Sequence, residues 1–168
     1  LGTPRLITLH WTAGDHFKTF SSYHFCVQGG GRVVNSLSLT KKGSHTWGRN
    51  TANIGVAMCA MLNASTMPTA QQIESVAALV ADLSLQFNIS LTATYRTQRH
   101  KVVQGTRIPT GETVEVPYVT DHAAYARADG YYPDRWDCGR YTADILKKAL
   151  WYRGEILAGR RKSETWPV

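Results

Sequence analysis

The chain has 168 residues, 43% apolar and 18% charged. That balance excludes disorder, and the length suffices for one domain burying roughly two-thirds of its unfolded surface. No apolar run approaches the ~18 residues of a membrane span. The formal charge of +7 favours anionic partners such as wall polymers, but the cations are scattered apart from Arg160-Arg161-Lys162. No recognition-helix, RNP or zinc-finger pattern accompanies them, which argues against nucleic acid.

Leu1-Gly2-Thr3-Pro4 opens the sequence without an initiator methionine or a basic-then-apolar leader, which fits a processed piece of something longer, made in the cytoplasm. "RLITLHW", bounded by Pro4 and Ala13-Gly14, reads as a buried strand. "SSYHFCVQ" and "RVVNSL" flank Gly29-Gly30-Gly31, a hairpin signal, because glycines supply the positive φ of a tight turn. "NIGVAMCAML" is a second continuous apolar run and a central-strand candidate.

Thr69 as cap with Gln72 three residues on, and apolar Ile73, Val76, Ala77, Val80, Leu83 and Phe87 at helical spacing, predict an amphipathic helix over 69–87. A weaker helix is predicted over 142–157. Between them, residues 98–119 alternate around Pro109, Gly111 and Pro117 and read as a β-rich excursion or loop. The order implies a mixed α/β fold, a sheet covered by helices in one domain over 1–168, with 151–168 as a C-terminal tail.

Three cysteines are too few and too odd for a disulfide framework. Cys26 and Cys59 sit in apolar runs and read as buried thiols. Of the six histidines, His10 ends an apolar strand before Thr12-Ala13-Gly14, where a sheet opens to a cleft. His122 follows the short run "VPYVTD" and precedes the polar loop "ARADGYYPDRWDCG". A catalytic zinc takes three protein ligands and leaves one position to water. His10 and His122 can supply two, with Asp137 or Cys138 as the third. His100 is the rival to His122, and spacing alone leaves the set open.

"ITLHWTAG", "SYHFCVQGGGRVV", "GSHTWGRNTANIGVAM" and "TDHAAYARADGYYPDRWDCG" occur in that order. Together they resemble the zinc-dependent type 2 N-acetylmuramoyl-L-alanine amidases, a family that includes phage amidase-type lysozymes and the peptidoglycan recognition proteins. The resemblance spans about residues 5–150. It implies a central mixed sheet flanked by helices, with one Zn2+ held by His10, His122 and Asp137 and with Cys138 in reserve. It also implies Tyr23 near the zinc water, and Arg135 where relatives carry a lysine. Arginine keeps its proton, so Arg135 is expected to stabilise an oxyanion rather than donate to the leaving amine.

His24, His45 and Trp47 fall in segments that border the substrate groove in relatives and are expected to touch substrate. The implied activity is cleavage of the bond between N-acetylmuramic acid and L-alanine of bacterial peptidoglycan. The expected actor is a monomeric phage endolysin or autolysin domain working at the cell wall. The alternative is a recognition domain that binds peptidoglycan without cutting it.

Overall fold

A computed structural model describes residues 2–61, 65–130 and 137–168. Its sheet contains β1 (Leu6–Trp11), β2 (Phe25–Val27), β3 (Val33–Asn35), β4 (Asn53–Met58) and β7 (Val119–Asp121), in the order β3-β2-β4-β1-β7. β1 runs parallel to both β4 and β7, β2 runs parallel to β4, and only β3 is antiparallel, returning along β2. The expected mixed α/β sheet is therefore observed. β5 (Thr94–Val103) and β6 (Thr106–Pro117) form a separate two-stranded hairpin.

The three central strands read as continuous apolar runs because both of their faces are covered. Side chains alternate across the sheet, and the two faces are built for different ends. Ile7 and Leu9 of β1, Phe25 and Val27 of β2, and Ile54, Val56 and Met58 of β4 point to one side and are buried. There they meet Val76, Ala77, Val80 and Leu83 of α1 (Ala70–Gln86) and Ile145 and Ala149 of α3 (Thr142–Leu157). Each large side chain so buried stabilises the fold by roughly 1.5–3 kcal/mol. The intervening residues Thr8, His10, Cys26, Gly55 and Ala57 belong to the opposite face. That face carries only a small apolar cluster, Cys26, Ala57 and Cys59, with Tyr23 packed on it.

Helix α1 has the predicted capping box: Thr69 Oγ1 accepts from Gln72 N–H, and the Gln72 side chain accepts from Thr69 N–H. Gln72 is fully buried, and its Nε2 donates to the carbonyls of Val27 and Cys59, so the cap also ties the helix to β2 and to the end of β4. Glu74 accepts from Lys148 and from Tyr152 Oη and joins α1 to α3. After α3 the chain packs back onto the core: Trp166 lies edge-on to Phe25 at 4.9 Å, and Gln86 bonds the Trp166 backbone twice.

The excursion over 98–119 is a hairpin despite its prolines. Pairing jumps from Gln98–Thr113 to His100–Pro109, and Gly111 at φ +86° takes up the extra residues on β6. A proline is tolerated at such an irregularity because it has no ladder N–H to give. Gln104 and Gly105, at φ +48° and +75°, close the turn. Among the described residues no helix is long and apolar enough to cross a membrane.

Candidate metal centre

His10 is the fifth residue of β1 and points away from the helices, where its side chain is buried. Its neighbour across β7 begins α2 (His122–Ala128), and His122 is that helix's first residue. Asp121 fixes the start of α2. It caps the helix by accepting from Ala124 N–H at 2.7 Å, and its other oxygen accepts from Thr142 Oγ1 at 2.6 Å, at the start of α3. Asp137 arrives just ahead of the short 3-10 turn Gly139–Tyr141.

These three residues converge. His122 Nδ1 lies 2.7 Å and His10 Nδ1 3.3 Å from Asp137 Oδ2. One donor atom from each of the three falls within 4.8 Å of the others. The second carboxylate oxygen, Oδ1, accepts from Trp11 N–H at 2.9 Å, which fixes the plane of the group and leaves Oδ2 facing the imidazoles. Burial alone would raise the Asp137 carboxyl, but the two imidazoles beside it, His10 and His122, outweigh it and hold the group well below the usual carboxylate range. Two imidazoles and an ionised carboxylate around one point form a donor set that fits a divalent zinc ion.

Cys138, the other candidate for third ligand, turns the opposite way. It adopts a left-handed backbone at φ +66°, and its side chain is fully buried in the core beneath the helices. Burial pushes its thiol well above the ordinary range. His100 lies on β5, away from the trio, and its backbone N–H donates to Asp129 Oδ1.

Tyr23 stands beside the trio, its ring 5.1 Å from that of His10 and packed against Cys26, Ala57 and Cys59. Arg135 lies outside the described residues. Trp47 is exposed, with the Arg107 guanidinium 5.2 Å over its ring. Arg107 belongs to a buried network in which Asp129 accepts from Arg49 Nη2 and Arg107 Nη2, both at 2.7 Å, joining the end of α2 to the β5–β6 hairpin and to residues 47–49.

Two of the expected substrate contacts have other places. His24 is buried, its Nε2 donates to Lys41 O at 2.9 Å, and its Nδ1 accepts from Gly55 N–H at 3.0 Å. With both nitrogens engaged, its ring offers nothing to a ligand. His45 is also buried, 3.0 Å from His10 Nε2 through its Nδ1 and 3.1 Å from Asn53 O through its Nε2. Burial, with His10 as the next influence, pushes its pKa down to about 2, so the ring is neutral.

Sequence reasoning missed the residues that hold this loop. Asn50 Oδ1 accepts from the N–H groups of His45 and Thr46, and Asn53 Nδ2 donates to Arg49 O. The signal was the asparagine pair within "HTWGRNTAN", since short amides bond nearby backbone in irregular loops.

The fold and site together define a mixed α/β protein whose His10, His122 and Asp137, at the end of a parallel strand, are placed so that they could hold a metal ion. The family model for N-acetylmuramoyl-L-alanine amidases matches residues 1–129. The chain belongs to that family. The match includes His10 and His122 and ends before Asp137.

No curated protein sequence matches the chain. Among solved structures it is similar to the Ph2119 endolysin from the Thermus scotoductus MAT2119 bacteriophage Ph2119, with TM-score 0.58 and 13% identity over 88% of this chain and 86% of that one. The peptidoglycan recognition proteins LCa and LCx, in an ectodomain complex with tracheal cytotoxin, give a TM-score of 0.52 and 18% identity over 86% and 81%. The amidase LysC from Clostridium intestinale URNW gives 0.50 and 19% over 71% and 70%. At these identities the likeness establishes the fold.

Proposed function

We propose that the chain is a zinc-dependent N-acetylmuramoyl-L-alanine amidase, which hydrolyses the amide between N-acetylmuramic acid and the L-alanine of the stem peptide. The observation that carries this reading is the convergence of His10, His122 and Asp137 on one point within a chain of the amidase family. His10 Nδ1, His122 Nδ1 and Asp137 Oδ2 would hold the ion. Zinc in such a setting supplies Lewis acidity, polarising a carbonyl and acidifying water.

The chain's own groups do the rest. Trp11 N–H keeps the Asp137 carboxylate in one orientation. Tyr23, against the His10 ring, is the group we assign to orienting the attacking water and stabilising the tetrahedral oxyanion with its phenol. Arg135 adds positive charge to that oxyanion, and each well-placed donor there is worth about 3–4 kcal/mol. Because a guanidinium keeps its proton, the proton for the departing L-alanyl amine comes from the attacking water, relayed through the Tyr23 oxygen. Trp47, exposed and backed by Arg107, is a platform for a sugar face of the glycan strand.

The net charge of +7 suits an enzyme that works on an anionic wall, and likeness to a phage endolysin supports the same setting. A second reading, peptidoglycan binding without cleavage, has support from the likeness to recognition proteins whose complex holds tracheal cytotoxin. The trio favours catalysis. The test is metal analysis of the purified chain together with release of free L-alanyl amine from muropeptides. Zinc with amine release supports the amidase; tight muropeptide binding with no release over hours establishes the binding domain instead.

A further inference from the structure

We propose that His45 is a positioning residue that selects which ring nitrogen of His10 carries the hydrogen and which presents its lone pair to a metal. The inference rests on the reading of His10, His122 and Asp137 as ligands, and it assigns a role to a side chain outside that set. The argument begins at a backbone carbonyl. Asn53 O, on the first residue of β4, lies 3.1 Å from His45 Nε2. A carbonyl oxygen can only accept, so His45 Nε2 carries the hydrogen, and in the neutral ring Nδ1 becomes the acceptor.

His10 Nε2 lies 3.0 Å from that acceptor, so His10 carries its hydrogen on Nε2. Its Nδ1 then keeps a lone pair, directed to the side where Asp137 Oδ2 stands. Thr46 Oγ1, 3.0 Å from His45 Nδ1 and 3.4 Å from His10 Nε2, can donate to the first and accept from the second, which leaves the same polarity.

The selection has a competitor. Asp137 Oδ2, 3.3 Å from His10 Nδ1, would by itself favour the other tautomer, with Nδ1–H donating to the carboxylate. That form has no lone pair to give a metal. His45 is the closer acceptor, and its acceptor face is set by a main-chain group that cannot change role.

The surroundings are shaped to seat this ring. A Cβ at Gly55 would lie 2.7 Å from His45 Cγ and Cδ2, and one at Gly43 would lie 2.7 Å from His45 Cδ2. Neither glycine has a positive φ, so occupied space rather than backbone conformation calls for glycine here: the His45 imidazole at Gly55, and that ring together with the Ser22 carbonyl, 2.8 Å away, at Gly43. Asn50 fixes the loop from below through the His45 and Thr46 amides. Thr8 Oγ1 donates to Asn53 Oδ1, which ties the origin of the relay to the strand that carries His10.

The test reads the tautomer directly. Chelator-treated, metal-free protein labelled with 15N-histidine is examined by long-range 1H–15N correlation, and zinc affinity is measured by competition with a chelator of known affinity. Metal-free wild type should show His10 protonated on Nε2. His45→Ala should shift it toward Nδ1–H and weaken zinc binding by about 10–100-fold, the usual effect of losing a partner that orients a ligand. His45→Asn, whose Oδ1 can replace the lost acceptor, should recover most of the affinity. Gly55→Ala touches no ligand and should weaken zinc much as His45→Ala does.

The proposal is overturned if wild type carries the His10 hydrogen on Nδ1, or if folded Gly55→Ala and His45→Ala bind zinc as wild type does. Failure of wild type to take up zinc would instead overturn the ligand assignment, and the tautomer measurement would still decide the role of His45.

Discussion

Replacing Asp129 by asparagine removes one charge from the middle of the molecule while keeping the shape of the side chain. The Asp129 carboxylate is fully buried, and the guanidiniums of Arg49 and Arg107 that bond it are only 4% and 9% exposed. It also accepts from His100 N–H at 2.9 Å. Removing one partner from a buried charge cluster leaves the others uncompensated and costs about 3–5 kcal/mol. With a urea m-value of about 2 kcal/mol per M, the unfolding midpoint of Asp129→Asn should fall by about 2 M.

Glu112→Gln is the internal control. It breaks an ion pair with Arg99 at 3.1 Å on the same hairpin, with the two side chains 67% and 41% exposed, and should cost under about 1 kcal/mol. Hydrogen exchange supplies a local readout, because the His100 amide loses a charged acceptor and should exchange faster in Asp129→Asn. A midpoint shift no larger for Asp129→Asn than for Glu112→Gln would refute the claim that burial, rather than geometry, decides what these pairs contribute.

Asp137→Ala should abolish zinc retention and amide cleavage, whereas Cys138→Ala should keep both and lose only core packing, about 1 kcal/mol by urea denaturation; the opposite pattern would exchange the two assignments. Tyr23→Phe should retain zinc by metal analysis and slow turnover by about 10²-fold, the scale of one lost oxyanion donor. Arg135→Lys should raise turnover, measured as amine release, if a proton donor is wanted beside the leaving group. Burial lowers the pKa of His24 from its ordinary 6.5, so the unfolded chain binds a proton there that the folded chain refuses. Stability from this group is complete above pH 6.5 and is lost as pH falls below it, with a slope of up to about 1.4 kcal/mol per pH unit. Urea midpoints below pH 6.5 should fall less steeply in His24→Gln, the slope that remains coming from groups such as His45, whose pKa burial also lowers, and an unchanged slope would remove His24 as a contributor.

Where hydrophobic periodicity decides structure, the sequence was legible. The Val76-Val80-Leu83 spacing produced α1, and the continuous runs around Leu9 and Val56 produced central parallel strands. His10 and His122 stood out because strand ends next to polar loops are where an α/β sheet opens, but only the family resemblance joined them into one ligand set. Asp137 was separated from Cys138 only by resemblance, and the physical distinction between them is a left-handed residue at Cys138 that no local pattern announces.

His24 and His45 were expected at the groove only because their segments border it in relatives. Residues 36–50 fold over them through backbone-to-side-chain bonds such as Asn50 to the His45 amide, and such closure leaves no periodic trace. The hairpin β5–β6 was blurred for a similar reason: Pro109 reads as a breaker until Gly111 is seen to absorb it.

The alternation of β1, β2 and β4 separates two tasks that many enzymes have to share. Packing energy is concentrated between the sheet and the two long helices, and the proposed ligand His10 stands on the reverse side, near small residues such as Ala57. Substitutions on the two sides share few neighbours, so their effects should add with little coupling. A more heat-resistant variant can then be sought in α1, α3 and the residues they cover, with the reactive side left as it is.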